Sequence, residues 1–157
     1  MRFTDEHRAF RQLVKDVVDK EIAPHVDEWE RAGTFPAHEL FPKLGEVGLL
    51  GLTYDPEYGG QGADHLYSVI LAEELHRSGC AGVPMAIGVQ TMMATPSLHE
   101  FGTDELKRRY LTPAIRGTAV CSIAVTEPGA GSDVAGLRTR AVRDGDDWVI
   151  NGSKLFI

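Results

Sequence analysis

Residues 121–136 read CSIAVTEPGAGSDVAG, and the fold turns on this stretch. A β-branched run ends at Thr126, passes into a loop with glycines at 129 and 131, and is followed by more strand-like sequence, so helical periodicity gives way here to β character. Glycine frees the backbone and lets amides approach a flat ring or an anion with no Cβ in the way. Thr126 and Ser132 place a hydroxyl at either end of the loop. Context excludes two phosphate-binding readings: no Gly-Lys-Ser/Thr follows, as a P-loop requires, and no helix of a βαβ unit follows, as a dinucleotide fingerprint requires. The residues leave two readings open, a β-sheet site for a phosphate-bearing cofactor or an ordinary tight connection.

Upstream the period is helical. Phe10, Leu13, Val14, Val17, Val18 and Ile22 recur at i, i+3, i+4, i+7, with Thr4 as N-cap and Asp5 and Glu6 in the first turn. Pro24 predicts a bend before the pattern resumes through Val26 and Trp29 to Gly33. Thr34-Phe35-Pro36 announces a second helix with Leu40, Phe41, Leu44 and Val47 inward and a stop at Gly48. The turn-rich YDPEYGGQGAD follows and reads as a structural turn that orients the helices. Asp64 then caps a third helix with Leu66, Val69, Ile70 and Leu75 inward, ended by Gly79. Glu73 and Glu74 are consecutive, do not face each other on a helix, and read as a solvated face.

The stretch from Val83 to Phe101, with Met85, Met92 and Met93, is so weakly charged that it is predicted to be internal. By its residues alone, the Met85–Ala94 part reads as helix packing. Thr103 opens a last helix with Leu106, Tyr110, Leu111 and Ile115 on one face, closed by Gly117. Strands are predicted over 119–126, 137–142 and 148–150, with a turn at 144–147, and Lys154–Ile157 also reads as strand. The best single domain boundary lies near Gly117.

Bulk properties narrow the function. The 157 residues, 43% hydrophobic and 25% charged, suffice for one sizeable core. A net charge of -7, with 23 acidic against 16 basic residues, offers no basic stripe for nucleic acid. The charged N-terminus and the lack of an apolar run of about 18 residues predict a cytoplasmic protein without a membrane span. Cys80 and Cys121 lack CxxC spacing and read as buried, reduced thiols. The six histidines form no HxH or HExxH pattern, so no metal site is predicted.

The string AVTEPGAGSDVAG closely resembles the acyl-CoA dehydrogenase motif. PEYGGQG, HEFGTDELKRRYL and DGDDWVINGSKLFI resemble the same family in the same order, nearest in pattern to its long-chain branch. The resemblance implies a mainly α fold: an all-helical N-terminal domain over residues 1–117, then the opening strands of a middle β-barrel over 118–157. The family's C-terminal helical bundle would lie beyond this sequence. It implies FAD as cofactor, met by Ile123, Val125, Thr126, Gly131 and Ser132, and by a second flavin segment beginning at Phe156 and Ile157. Ser132 would also meet the acyl-CoA, and Met92 and Ala94 would line the acyl cavity.

The implied reaction is α,β-desaturation of a fatty acyl-CoA, in which a carboxylate removes the α-proton and the β-hydrogen leaves as hydride to flavin N5. An electron-transfer flavoprotein would accept the electrons, and the parent would be a homo-oligomer, dimer or tetramer. The family carries its base, a glutamate, later in the chain, so no catalytic residue is assigned here and residues 1–157 alone are expected to be weakly active at best. Glu127 is read as a turn or surface carboxylate rather than a base. The same fold admits acyl-carrier-protein dehydrogenases, flavin oxidases and monooxygenases. A non-catalytic helical module is the alternative from another class, prompted by the open strand edge at residues 154–157.

Overall fold

A computed structural model describes residues 3–157, which form two compact units, 3–121 and 122–157. The first is helical. Helix α1 (Asp5–Glu21) starts where Thr4 caps it: the Thr4 Oγ1 accepts the His7 amide, and the His7 Nδ1 accepts the Thr4 amide at 3.1 Å. Histidine thus takes the place that Glu or Gln holds in the usual capping box. After Ile22 the chain tightens into a 3₁₀ turn at Ala23–His25, as Pro24 predicts, and resumes as α2 (Val26–Ala32), closed by Gly33 at φ +67.

Helix α3 (Ala37–Glu46) buries Leu40, Phe41 and Leu44, and α4 (His65–Leu75) begins where the Asp64 carboxylate accepts the Leu66 amide at 2.8 Å. With Val14 and Val18 of α1, Ile22 just after it, and Leu49, Leu50, Leu71 and Leu75, these make one core. Val47 and Val69, predicted to point inward, are exposed: Val47 is the terminal residue after α3, and on α4 the buried side runs through Ile70 and Leu71 instead. Glu74 is also buried rather than solvated, because Arg11 of α1 reaches across to both Glu74 and Glu73 at 2.6 Å.

Two helical runs follow, each broken by a π turn just ahead of a proline. The first comprises α5 (Gly82–Gly88), a π turn at Val89–Ala94, and α6 (Pro96–Phe101). The second comprises α7 (Asp104–Leu106), a π turn at Lys107–Leu111, and α8 (Thr112–Ile115), with Pro113 in the first turn of α8. A proline supplies no amide to the carbonyl four residues back and crowds it, and the wider turn relieves that clash. The extra residue rotates the helix faces. Leu111 and Ile115 are buried while Leu106 and Tyr110, predicted on the same face, are exposed. The prediction that Val83–Phe101 is internal holds only in part: Val83, Ile87, Gln90 and Thr95 are buried, but Met85, Met92, Met93 and Phe101 are exposed.

The loop between α3 and α4 folds on itself. Tyr58 is buried and donates to Asp104 at 2.7 Å, and Lys107 and Arg108 lie over its ring. At Gly60 a side chain would collide with the Tyr54 carbonyl, so this turn closes only on glycine.

The second unit holds one antiparallel hairpin, β1 (Arg140–Asp144) and β2 (Asp147–Asn151), with Asp144 opposite Asp147. Gly145 opens its two-residue loop at φ +62, as a II′ turn demands. Residues 119–126 and 154–157, predicted as strands, join no ladder among the described residues, since strand character becomes a strand only beside a partner. Phe156 departs furthest, with its backbone in the left-handed region at φ 57.

Candidate functional site

In the second unit, Glu127-Pro128-Gly129-Ala130 closes into a tight turn through paired main-chain bonds: the Glu127 amide donates to the Ala130 carbonyl (2.9 Å) and the Ala130 amide to the Glu127 carbonyl (3.1 Å). Glu127 itself is buried, not the surface carboxylate that its place beside proline suggested. It accepts the amides of Arg138 (2.7 Å) and Thr139 (2.9 Å) and the Lys154 ammonium (3.0 Å). The neighbouring Thr139 hydroxyl, those two amides and Lys154 together hold its carboxyl down to about 2. A carboxylate so engaged is a poor proton acceptor at neutral pH. Its position is set by partners 11 to 27 residues away, which no local pattern announces.

The same lysine joins two segments singled out in the sequence. Lys154 Nζ donates to the Val125 carbonyl at 3.0 Å, and the Leu155 amide donates to the Thr126 carbonyl at 3.0 Å, so Lys154 and Leu155 are held against Val125 and Thr126. The amides of residues 122–126 have no acceptor among the described residues, and Val125 and Thr126 are only half-buried. Main-chain donors of this kind seek a partner. Gly129 and Gly131 adopt ordinary negative φ, so freedom of backbone angle is not their purpose; a Cβ at either would meet nothing within 4 Å. What they keep clear is the space beside the loop. Ile123, Ser132, Phe156 and Ile157 are all exposed. A row of free amides, two hydroxyls and an uncluttered glycine loop fit a flat, hydrogen-bonding cofactor with a phosphate tail.

In the helical unit, an open apolar groove of about 1190 Å³ runs between α4 and the α5–α6 run. Leu52, Leu71, Ile87, Gly88, Met85 and Met92 are among its walls. Ala94 is half-buried and lies outside it. Among the described residues, no three His, Cys, Asp or Glu side chains converge as a metal site, and no helix is long and apolar enough to cross a membrane.

The sequence pattern of the acyl-CoA dehydrogenase N-terminal domain matches residues 4–118, and that of the middle domain of the same enzymes matches residues 122–157. The chain belongs to the acyl-CoA dehydrogenase family.

Among its relatives are the probable acyl-CoA dehydrogenase YngJ of Bacillus subtilis, 40% identical over 98% of this chain and 40% of that protein, and the mitochondrial long-chain specific acyl-CoA dehydrogenase of Sus scrofa, 39% identical over 99% and 35%. The caffeyl-CoA reductase-Etf complex subunit CarC of Acetobacterium woodii is 38% identical over the whole of this chain and 41% of its own. An acyl-CoA dehydrogenase structure from Geobacillus kaustophilus superposes with a TM-score of 0.90 at 39% identity, covering 97% of this chain and 39% of that one. One from Bacillus anthracis, complexed with FAD, superposes at 0.89 and 31% identity, covering 97% and 26%. This acyl-CoA dehydrogenase chain thus spans about two-fifths of the length of these curated relatives. The mainly helical fold, with a short sheet near the end of the chain, is the one the motif implied.

Two residues of consequence have little or no signal in the sequence. Gln90 is fully buried, and its only signal is a lone amide within a long apolar stretch. Lys154 reads only as part of a strand, and its distant carboxylate partner gives it its place.

Proposed function

We propose that this chain supplies the helical domain and the flavin-facing opening of the middle domain of an FAD-dependent acyl-CoA dehydrogenase that desaturates a fatty acyl-CoA between its α and β carbons. The observation that carries this reading is the row of unpaired amides at 122–126, with Lys154 and Leu155 bonded to the carbonyls of Val125 and Thr126. FAD, when bound, supplies the hydride acceptor. The amides of Val125 and Thr126 and the Thr126 hydroxyl would orient its ring, Ile123, Phe156 and Ile157 would border it, and Ser132 and the open loop at Gly131 would admit its pyrophosphate and the thioester.

The groove walled by Leu71, Ile87 and Met92 would take the acyl chain and keep water from it. Glu127 serves the fold rather than the proton transfer: three donors occupy its carboxylate, and its acidity suits a structural anchor. The base would be the glutamate that the family carries in a later part of its chains. An electron-transfer flavoprotein as electron acceptor is in keeping with the relative named as part of an Etf complex. Anaerobic mixing of the intact FAD-loaded protein with acyl-CoAs of graded length tests the reading. Bleaching of the flavin absorbance with appearance of enoyl-CoA is expected; a flavin left oxidised by every acyl-CoA would refute it.

A further inference from the structure

Gln90 is 1% exposed, and both hydrogens and the oxygen of its amide group find main-chain partners. Its Nε2 donates to the carbonyl oxygens of Ala114 (3.0 Å) and Ala119 (2.8 Å), and its Oε1 accepts the Cys121 amide at 2.7 Å. Turning the group over would set NH₂ against N–H and oxygen against two carbonyls, so a single orientation is possible. A buried amide is costly unless every partner is present, and an aliphatic side chain of the same size would fill the space without that demand. The partners show what the amide adds. Ala119 is held a second time, through its own amide to the Pro113 carbonyl at 3.2 Å, whereas the Cys121 amide has Gln90 alone. Cys121 is the residue from which the 122–126 segment departs.

On its other side Gln90 belongs to the groove. It sits in the π turn Val89–Ala94, whose Thr91, Met92 and Met93 line that cavity. The Thr95 hydroxyl donates to the Gln90 carbonyl at 2.5 Å and shares a 2.6 Å bond with the Tyr54 hydroxyl, which itself lies 2.7 Å from the Thr91 carbonyl. One buried polar network therefore runs from the groove wall to Cys121, and networks of this kind hold a single geometry.

We propose that Gln90 is a positioning residue for the flavin segment: it fixes the main chain at Ala119 and Cys121, the point from which residues 122–126 depart. This rests on the functional reading above. The test uses the intact FAD-loaded protein and Gln90→Met, which keeps the length and removes the amide. Flavin reduction at saturating acyl-CoA should slow by about tenfold to a hundredfold, as misplacement of a reacting group by roughly an ångström does. The visible circular dichroism of the flavin should change with it, while KM stays within about twofold of wild type.

A variant that melts earlier but keeps the wild-type reduction rate and flavin dichroism would overturn the proposal, leaving Gln90 a packing residue. If Gln90→Met does not fold, residue-resolved amide exchange of the wild type decides. Protection of the Cys121 amide at the level of core helix amides supports the anchor, and free exchange overturns it. A wild type that binds no FAD, or is reduced by no acyl-CoA, refutes the functional reading itself and takes this proposal with it. A reducible wild type matched by Gln90→Met refutes only the proposal.

Discussion

Gly45→Ala reverses the usual sign of a helix substitution. In the interior of a helix, alanine in place of glycine ordinarily stabilises by about 0.5–1 kcal/mol, because glycine loses more backbone freedom on folding. Gly45 lies within α3, but a Cβ there would fall under 3.0 Å from both the carbonyl oxygen and the carbonyl carbon of Arg116. Those atoms belong to the main chain just after α8 and cannot swing aside as a side-chain tip can. Relief requires α3 and the end of α8 to part, and overpacking of this kind costs typically about 1–3 kcal/mol, with the rigid neighbour favouring the upper half. Subtracting the helix gain leaves a net loss of about 1–2 kcal/mol, or roughly 4 °C in melting temperature for each kcal/mol in a unit of this size.

Gly82→Ala is the control. Gly82 opens α5, and a Cβ there would meet nothing within 4 Å, so alanine should be neutral or stabilising. Thermal unfolding followed by ellipticity at 222 nm reports both variants. A Gly45→Ala protein that melts at or above the wild-type temperature would refute the close approach of α3 to the α8 end.

Other perturbations address the core, the turn and the groove. Leu44→Ala, at a core position 1% exposed, should cost about 2–5 kcal/mol in chemical denaturation. Because the Glu127 carboxyl is held at about 2 against an ordinary 4.5, its contribution to stability is complete above pH 4.5 and is lost as the pH falls from there to about 2. The Arg138 and Thr139 amide resonances should therefore shift in one step near the lower value, and Glu127→Gln should abolish that step; a transition near 4.5 would show the carboxylate to be free. Met92→Trp, which narrows the groove, should raise KM for long acyl-CoAs by about tenfold or more and leave the shortest nearly unaffected. An equal effect at every chain length would place the acyl chain elsewhere.

Local chemistry makes the helix starts legible. Thr4, Asp64 and Thr103 each accept an amide two or three residues on, and such bonds depend only on neighbours in sequence. Faces around Pro96 and Pro113 are not legible, because an α-helical period does not carry through turns that hold an extra residue; Leu106 and Tyr110 lie outward rather than inward for that reason. The strands expected over 119–126 and 154–157 fail on another ground: β-branched composition states a preference, and a ladder needs a second chain segment. At the site, the motif locates the loop and its free amides, whereas the roles of Glu127 and Gln90 depend on donors and acceptors far along the chain. Neither residue type nor spacing encodes such a pairing.

The π turns carry a consequence for the length of the chain itself. A π turn is an α-helix with one residue to spare, so removal of Met93 would let the turn relax to the ordinary period with little loss of helix. The following helix would keep its phase, because a wide turn with an extra residue covers about the same rotation as an ordinary turn without it, so Pro96–Phe101 would keep their faces relative to α5. A deletion here is therefore absorbed, whereas an added residue has no such slack to enter and would turn the faces of α6 by about 100°, an error of phase that far-UV spectra would miss and that would scramble the groove wall and the Tyr54–Thr95 contact together.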